Sequence, residues 1–174
     1  EMGTGEAGIA ELSDGRLYYN SRSHWNAKKP PLRRREAWSA DGGETWTGWR
    51  IVDVLPDGPQ DTNYGCFAGL VRLPIADRDI LLYSNCDSPA GRKRGTVWVS
   101  FDGAKTWPLK RLVWEDPFQY SSLSAGRPGT ESEGWIYMHF EGRLPQSRVA
   151  RFNLSWLMAG EPTGDGEVPK IGGR

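Results

Sequence analysis

Histidine and cysteine are scarce in this chain, so clusters of arginine and lysine are the first candidates for chemistry. A run of three arginines at 33–35 offers planar, permanently charged donors that suit an anion. Its place in a predicted strand nevertheless favours a solvated strand face. A second cluster, formed by Arg92, Lys93 and Arg94, could bind an anion or could form an ordinary charged loop.

Histidine and cysteine give weaker signals. His24 and His139 have no partner at the spacing of a metal site, so we predict no metal and no cofactor. Cys66 and Cys86 lie at the ends of two predicted strands that should share one end of a sheet. A disulfide could join them in an oxidising compartment, and two free thiols are the equal alternative.

An eight-residue motif occurs twice in the chain, starting at residues 39 and 100. Each follows a strand-like run, and its Asp-Gly centre is typical of a tight turn because Asp bonds the backbone and Gly accepts positive φ. The shared positions are Ser39, Asp41, Gly43, Thr45 and Trp46 in the first copy and Ser100, Asp102, Thr106 and Trp107 in the second. Recurrence after about 60 residues predicts a repeat architecture.

Strand and turn patterns divide the chain into three units, which open at residues 6, 66 and 120. The predicted strands are 6–12, 16–23, 34–39 and 50–55, then 66–73, 79–85, 95–100 and 110–114, and finally 120–125, 135–140 and 147–155. The closest candidate for a helix is a single turn within 155–160. Antiparallel units of this size predict an all-β fold, a β-propeller of four-stranded blades with about three of six blades present.

Composition narrows the function classes. The 22 basic residues balance the 22 acidic ones, so the charge favours neither nucleic acid nor a membrane surface. No apolar run approaches the roughly 20 residues of a spanning helix. We therefore predict no nucleic-acid partner and no membrane span. Residues 159–174, rich in Gly, Pro and charge, are predicted to be a flexible tail or linker that follows the propeller part at 1–158.

The octets match the Asp-box, Ser-x-Asp-x-Gly-x-Thr-Trp, with Ala104 in the glycine position of the second copy. Asp-boxes also occur in unrelated propellers, so other segments carry the resemblance to the sialidase (neuraminidase) family. They are EAGIAELSDGRL from residue 6, NSR at 20–22, LYSN at 82–85, RKRGTVWVS at 92–100, YSSL at 120–123, FEG at 140–142 and RFNLSWL at 151–157. The resemblance spans most of this chain but only the C-terminal half of a sialidase catalytic propeller.

The resemblance implies a retaining exo-α-sialidase in which Tyr120 is the nucleophile and Glu6 its base. Sialic acid carries a carboxylate on its anomeric carbon, and a neutral phenol avoids the repulsion that an anionic nucleophile would meet. A phenol with a pKa near 10 needs an adjacent base. Sialidases with a Tyr nucleophile are a known exception to the two-carboxylate rule for glycosidases.

The resemblance also implies that Arg22 and Arg92 bind the substrate carboxylate as two of three arginines, with Arg94 open as the alternative to Arg92. Guanidinium suits this task because it is planar, bidentate and always charged. Glu141 resembles the residue that orients the first arginine of the triad. In an antiparallel sheet the start of one strand and the end of the next lie at the same end of the sheet. Glu6, Arg22, Arg92 and Tyr120 should therefore converge there.

The family also uses a third arginine and a general-acid Asp from an N-terminal half, which we therefore expect as a partner segment of the same domain. The implied substrate is a sialylated glycan, and the implied compartment is secreted, periplasmic or lysosomal. A trans-sialidase and a non-catalytic propeller that binds glycan or protein are the alternatives. We expect the 174 residues by themselves to be inactive.

Overall fold

The computed structural model describes residues 4–23, 31–62 and 65–170, and regular structure within these ranges is almost entirely β. The strands form three antiparallel sheets that follow one another along the chain. The sheets are not closed into a ring, which fits part of a propeller. The prediction of an all-β fold built from antiparallel units is confirmed.

The first sheet contains four strands in sequence order. They are β1 (Thr4–Glu11), β2 (Leu17–Ser23), β3 (Arg33–Ser39) and β4 (Thr47–Pro56). In the second sheet four strands also pair in sequence order, β5 (Gly69–Arg72), β6 (Leu81–Cys86), β7 (Lys93–Ser100) and β8 (Leu109–Pro117). The third sheet has three strands in the described residues: β9 (Ser121–Ala125), β10 (Trp135–Glu141) and β11 (Ser147–Asn153).

The one helix in the described residues is α1 (Leu154–Leu157), which directly follows β11. The Asn153 side chain caps it by accepting a hydrogen bond from the backbone N–H of Trp156 at 2.8 Å. The predicted single turn in this region is confirmed with its start one residue earlier. Within the described ranges, no helix is long and apolar enough to cross a bilayer.

The segment after α1 returns to the second sheet. Its strand β12 (Glu161–Pro162) pairs antiparallel with β8, which makes this sheet five-stranded. Thr163 donates its backbone N–H to Pro108 O at 2.9 Å, and Asp165 accepts the backbone N–H of Trp107 at 2.7 Å. The start of the segment predicted as a flexible tail is therefore attached to β8, because its polar groups complete the hydrogen bonding beside the second octet.

Aromatic side chains fill the space between the first two sheets. Tyr83 packs against Trp98 with ring centroids 5.5 Å apart, and Trp107 lies 6.2 Å from Tyr83 and 6.3 Å from Tyr18. All four rings are at most 1% exposed. Large, nearly fully buried rings contribute strongly to stability, which makes this layer the joint between the two sheets.

The two octets fold into matching turns. Ser39 Oγ accepts the backbone N–H of Gly43 at 2.9 Å, and the carboxylate of Asp41 accepts the backbone N–H and the hydroxyl of Thr45. Ser100, Asp102 and Thr106 repeat this pattern, with the N–H of Ala104 donating to Ser100 Oγ at 2.8 Å. Ala104 has φ of 70°, so the second copy keeps the left-handed backbone that glycine would adopt more readily.

A buried ion pair joins the first sheet to the loop after β4. Arg34 is 1% exposed and Asp57 is fully buried, with Arg34 Nη1 3.1 Å from Asp57 Oδ1. The backbone N–H of Ser23 donates to both oxygens of Asp57 at 3.1 Å. Arg35 is also buried and donates to Ser23 Oγ at 3.2 Å. The expected solvated strand face is thus wrong for Arg34 and Arg35, because acceptors in β2 and the loop enclose them.

We predict that Asp57→Asn lowers the free energy of unfolding by about 3–5 kcal/mol, because it leaves the buried Arg34 without its countercharge. Urea unfolding of the 174-residue chain would measure the change. Asp53→Asn, on the exposed part of β4, is the matched control and should stay within about 0.5 kcal/mol of the wild type. Equal effects of the two substitutions would contradict the assignment.

Candidate active site

Glu6, Arg22 and Tyr120 meet although the outermost two are 114 positions apart. The Tyr120 hydroxyl donates to Glu6 Oε1 at 2.9 Å. Arg22 Nη1 donates to the Tyr120 oxygen at 3.0 Å and to Glu6 Oε2 at 2.5 Å. A phenol therefore contacts a carboxylate that can accept its proton and a guanidinium that can stabilise its oxygen. The structure brings these three predicted residues together.

Strand direction explains why they meet. Glu6 lies in the first half of β1 and Arg22 near the end of the antiparallel β2, so both side chains reach the same end of the first sheet. Tyr120 directly precedes β9, whose first residue, Ser121, donates its backbone N–H to Phe67 O at 3.2 Å. The strands β1, β5 and β9 each lie at one edge of their sheet and pack side by side.

Glycine residues allow these three edge strands to approach one another closely. A Cβ added at Gly8 of β1 would lie 2.9 Å from the Cβ of Leu70 in β5. A Cβ added at Gly69 of β5 would lie 2.9 Å from the backbone N of Leu123 in β9. Any side chain at either glycine would push neighbouring strands apart. The spacing between Glu6 and Tyr120 therefore depends on glycine at both places.

Arg92 lies on the other side of the tyrosine. Its guanidinium carbon is 5.5 Å from the centroid of the Tyr120 ring, a cation–π distance. Arg92 Nη1 donates to Gln119 Oε1 at 3.2 Å, and Nη2 donates to Gly65 O at 3.3 Å. Arg94, the sequence alternative, instead donates through Nη1 to both oxygens of the exposed Glu115 at 2.6 and 2.8 Å. Of the two arginines, Arg92 is the one beside Tyr120.

Electrostatics favour an ionised Glu6 beside a neutral Tyr120. Burial pushes the pKa of Glu6 upward, but hydrogen bonds from Arg22 and Tyr120 and the charge of Arg22 outweigh it, so the pKa lies below its ordinary value. Burial raises the pKa of Tyr120, and its hydrogen bond to Glu6 raises it further. Near neutral pH the tyrosine therefore holds the proton and the carboxylate is ready to accept it.

Glu141 is placed differently from the other predicted residues. Its backbone N–H donates to Tyr120 O at 3.0 Å, and its carbonyl accepts the N–H of Gln119 at 2.9 Å. Among the described residues, its carboxylate has no hydrogen bond or ion pair. The backbone of Glu141 thus supports the Tyr120 segment, and an orienting role for its side chain stays a prediction.

The two cysteines lie behind the site as free thiols, one of the two alternatives from the sequence. Their sulfurs are 3.8 Å apart, and Cys86 Sγ donates to Phe118 O at 3.0 Å. The hydrogen bond with Cys66 raises the pKa of Cys86, and burial raises it further. His139 lies in β10, His24 falls outside the described residues, and no group of three metal-binding side chains occurs within the described ranges.

Sequence reasoning missed three residues that support the site. Gln119 contacts Arg92, the Phe67 ring lies 6.2 Å from the Tyr120 ring, and Asp57 holds the backbone next to Arg22. None of them belongs to a spacing pattern. The position of Gln119 immediately before Tyr120 was the one available signal.

The known proteins that resemble this chain in sequence are sialidases. No family model matches the chain. It is 34% identical over 158 residues to a sialidase of Micromonospora viridifaciens, which covers 90% of this chain and 23% of that protein. It is 31% identical over 129 residues to a sialidase of Bacteroides fragilis, which covers 70% of this chain and 22% of that protein. The chain thus spans less than a quarter of the length of these curated relatives.

Solved structures show the same relationship. A Hadza microbial sialidase superposes with a TM-score of 0.65 at 25% identity, over 88% of this chain and 28% of that one. The intramolecular trans-sialidase of Ruminococcus gnavus superposes with a TM-score of 0.67 at 22% identity, over 89% and 34%. The second match supports the fold, a partial sialidase β-propeller. Sequence and fold together place this chain in the sialidase family.

Proposed function

We propose that this chain supplies part of the catalytic site of a retaining exo-α-sialidase, which hydrolyses terminal sialic acids from glycoconjugates. The observation that carries the proposal is the Tyr120 hydroxyl, which donates to Glu6 and accepts from Arg22. A phenol needs an adjacent base to become a nucleophile at neutral pH. Glu6 provides that base at 2.9 Å.

In the proposed reaction, Tyr120 Oη attacks the anomeric carbon as its proton passes to Glu6 Oε1. Arg22 Nη1 donates to the tyrosine oxygen and stabilises the negative charge that develops there. The covalent glycosyl–tyrosine intermediate is then released by water, and two displacements retain the anomeric configuration. The general-acid Asp that would protonate the leaving oxygen is expected from another part of the domain.

The two arginines differ in how their charge is balanced. Arg22 forms an ion pair with Glu6, whereas Arg92 has no carboxylate within 4.0 Å among the described residues. We propose that Arg92 is the main anchor for the sialic acid carboxylate and that Arg22 is shared between the substrate and the nucleophile. A third arginine, expected from another part of the domain, would complete the cluster.

Tyr120→Phe, made in the full-length protein that contains this segment, should lower kcat for a fluorogenic sialoside at least about 1,000-fold, because the attacking oxygen is lost. Tyr137→Phe in β10 is the matched control and should keep near wild-type activity. Wild-type activity in Tyr120→Phe would overturn the nucleophile assignment. A protein that binds sialosides but shows no turnover before mutation would favour the non-catalytic alternative.

Residues 1–174 produced by themselves should give no measurable turnover of the same sialoside, because the proposed general acid and third arginine are expected elsewhere in the domain. The assay would compare equal concentrations of this chain and of the full-length protein. Turnover comparable to that of an intact sialidase would show that the 174 residues already hold every required group.

The contribution of the Glu6–Arg22 pair to stability should depend on pH. The folded-state pKa of Glu6 is lowered, so its stabilising effect is present above pH about 4.5 and is lost as pH falls through the folded value. Because the Glu6 side chain is 39% exposed, we expect only a small difference in Tm between wild type and Glu6→Gln at pH 7. That difference should shrink at pH 3. A difference that is constant or grows on acidification would contradict the pairing.

A further inference from the structure

We propose that Gln119 is a positioning residue that holds Arg92 beside Tyr120 while leaving the arginine's positive charge uncompensated for an anionic ligand. This inference rests on the proposed function for the identity of the ligand, a sialic acid carboxylate. The contact between Gln119 and Arg92 is independent of that function. Gln119 lies directly before Tyr120, and both are partly buried.

The amide of Gln119 can take only one orientation. Its Oε1 accepts from Arg92 Nη1 at 3.2 Å, and its Nε2 donates to the carbonyl of Gly142 at 3.0 Å. A flipped amide would point its NH₂ group at a guanidinium and its oxygen at a carbonyl, and both contacts would be repulsive. The Gly142 carbonyl therefore fixes the acceptor that Arg92 meets.

The backbone around Gln119 is equally constrained. Its N–H donates to Glu141 O at 2.9 Å, and the preceding Phe118 N–H donates to the carbonyl of Arg92 at 2.9 Å. Arg92 is thus attached to the 118–120 segment through its main chain and its side chain. Because this segment also carries Tyr120, the proposed nucleophile and the proposed anchor share one support.

Neutral acceptors distinguish Arg92 from Arg22, which is paired with Glu6, and from two further arginines of the described ranges. Arg34 is paired with Asp57 and Arg94 with Glu115. Arg92 is held by an amide oxygen and a backbone carbonyl, and it lies over the Tyr120 ring. Such contacts fix the direction of the guanidinium without cancelling its charge. A carboxylate at position 119 would still accept from Arg92, but it would lose the hydrogen bond to Gly142 and would compete with the ligand for the guanidinium.

Two substitutions at Gln119 distinguish the position of Arg92 from its charge. Gln119→Leu removes both side-chain hydrogen bonds without adding charge, so Arg92 should become mobile. Gln119→Glu keeps an acceptor for Arg92 but neutralises it. Gln146→Glu is the matched control, because the exposed Gln146 side chain accepts from Arg148 Nη2 at 3.2 Å and gains the same charge on a side chain whose recorded hydrogen bond is to neither Arg92 nor Tyr120.

The first measurement needs no ligand. In the 174-residue chain, NMR of ¹⁵N-labelled arginine should show slow rotation of the Arg92 guanidinium in the wild type and in Gln146→Glu. Rotation should become at least about three-fold faster in Gln119→Leu. Unchanged Arg92 signals in Gln119→Leu would overturn the positioning role.

The second measurement concerns charge and uses the full-length protein that contains this segment. The inhibition constants of free N-acetylneuraminic acid and of its uncharged methyl ester would be compared in all four proteins. The wild type and Gln146→Glu should prefer the acid at least about 10-fold, whereas Gln119→Glu should lose most of that preference because its inhibition constant for the acid rises. With the fluorogenic sialoside as substrate, Gln119→Glu should show a higher KM and a smaller change in kcat.

The outcomes distinguish the role of Gln119 from the identity of the ligand. An unchanged preference for the acid in Gln119→Glu would overturn the role of a neutral acceptor. A wild-type protein without preference for the acid would overturn the proposed carboxylate anchor and with it the proposed ligand. In that case the NMR comparison would still decide whether Gln119 positions Arg92.

Discussion

The hydroxyl of Tyr120 lies between a carboxylate that can take its proton and a guanidinium that donates to its oxygen. Glu6 and Arg22 shift the pKa of the phenol in opposite directions. Glu6 alone raises the pKa of the phenol, and Arg22 lowers it. Together they keep a neutral nucleophile next to an ionised base, and the phenolate can form only as the proton leaves. The remaining structure positions these three groups within hydrogen-bonding distance across two sheets.

That requirement explains the unusual packing near the site. The inner strands must approach closely enough for side chains from β1 and from the residue before β9 to touch, and Gly8 and Gly69 permit this. The buried Arg34–Asp57 pair then fixes the end of β2 next to Arg22. Burying such a pair gives little net stability, so its value lies in geometry, since it joins a strand end to a loop at one defined distance.

Much of the fold was predictable because it is local. Alternation and Asp-Gly turns locate strands without knowledge of tertiary contacts, and the predicted strands agree with the structure to within a few residues at most ends. The convergence of Glu6, Arg22 and Tyr120 followed from the resemblance and from antiparallel direction. The environments of Arg34 and Gln119 were not predictable, because their partners come from distant loops and from a backbone carbonyl, which leave no pattern in sequence.

The short return of the chain onto β8 has a consequence for the handling of this protein. An open β-edge is a template for pairing with other molecules. Two residues, Glu161 and Pro162, shield part of that edge, and the proline has no N–H to offer outward. Truncating the chain after α1 would expose this edge of β8 and favour intermolecular association. The C-terminal boundary of such a protein should therefore be chosen for solubility rather than for catalysis.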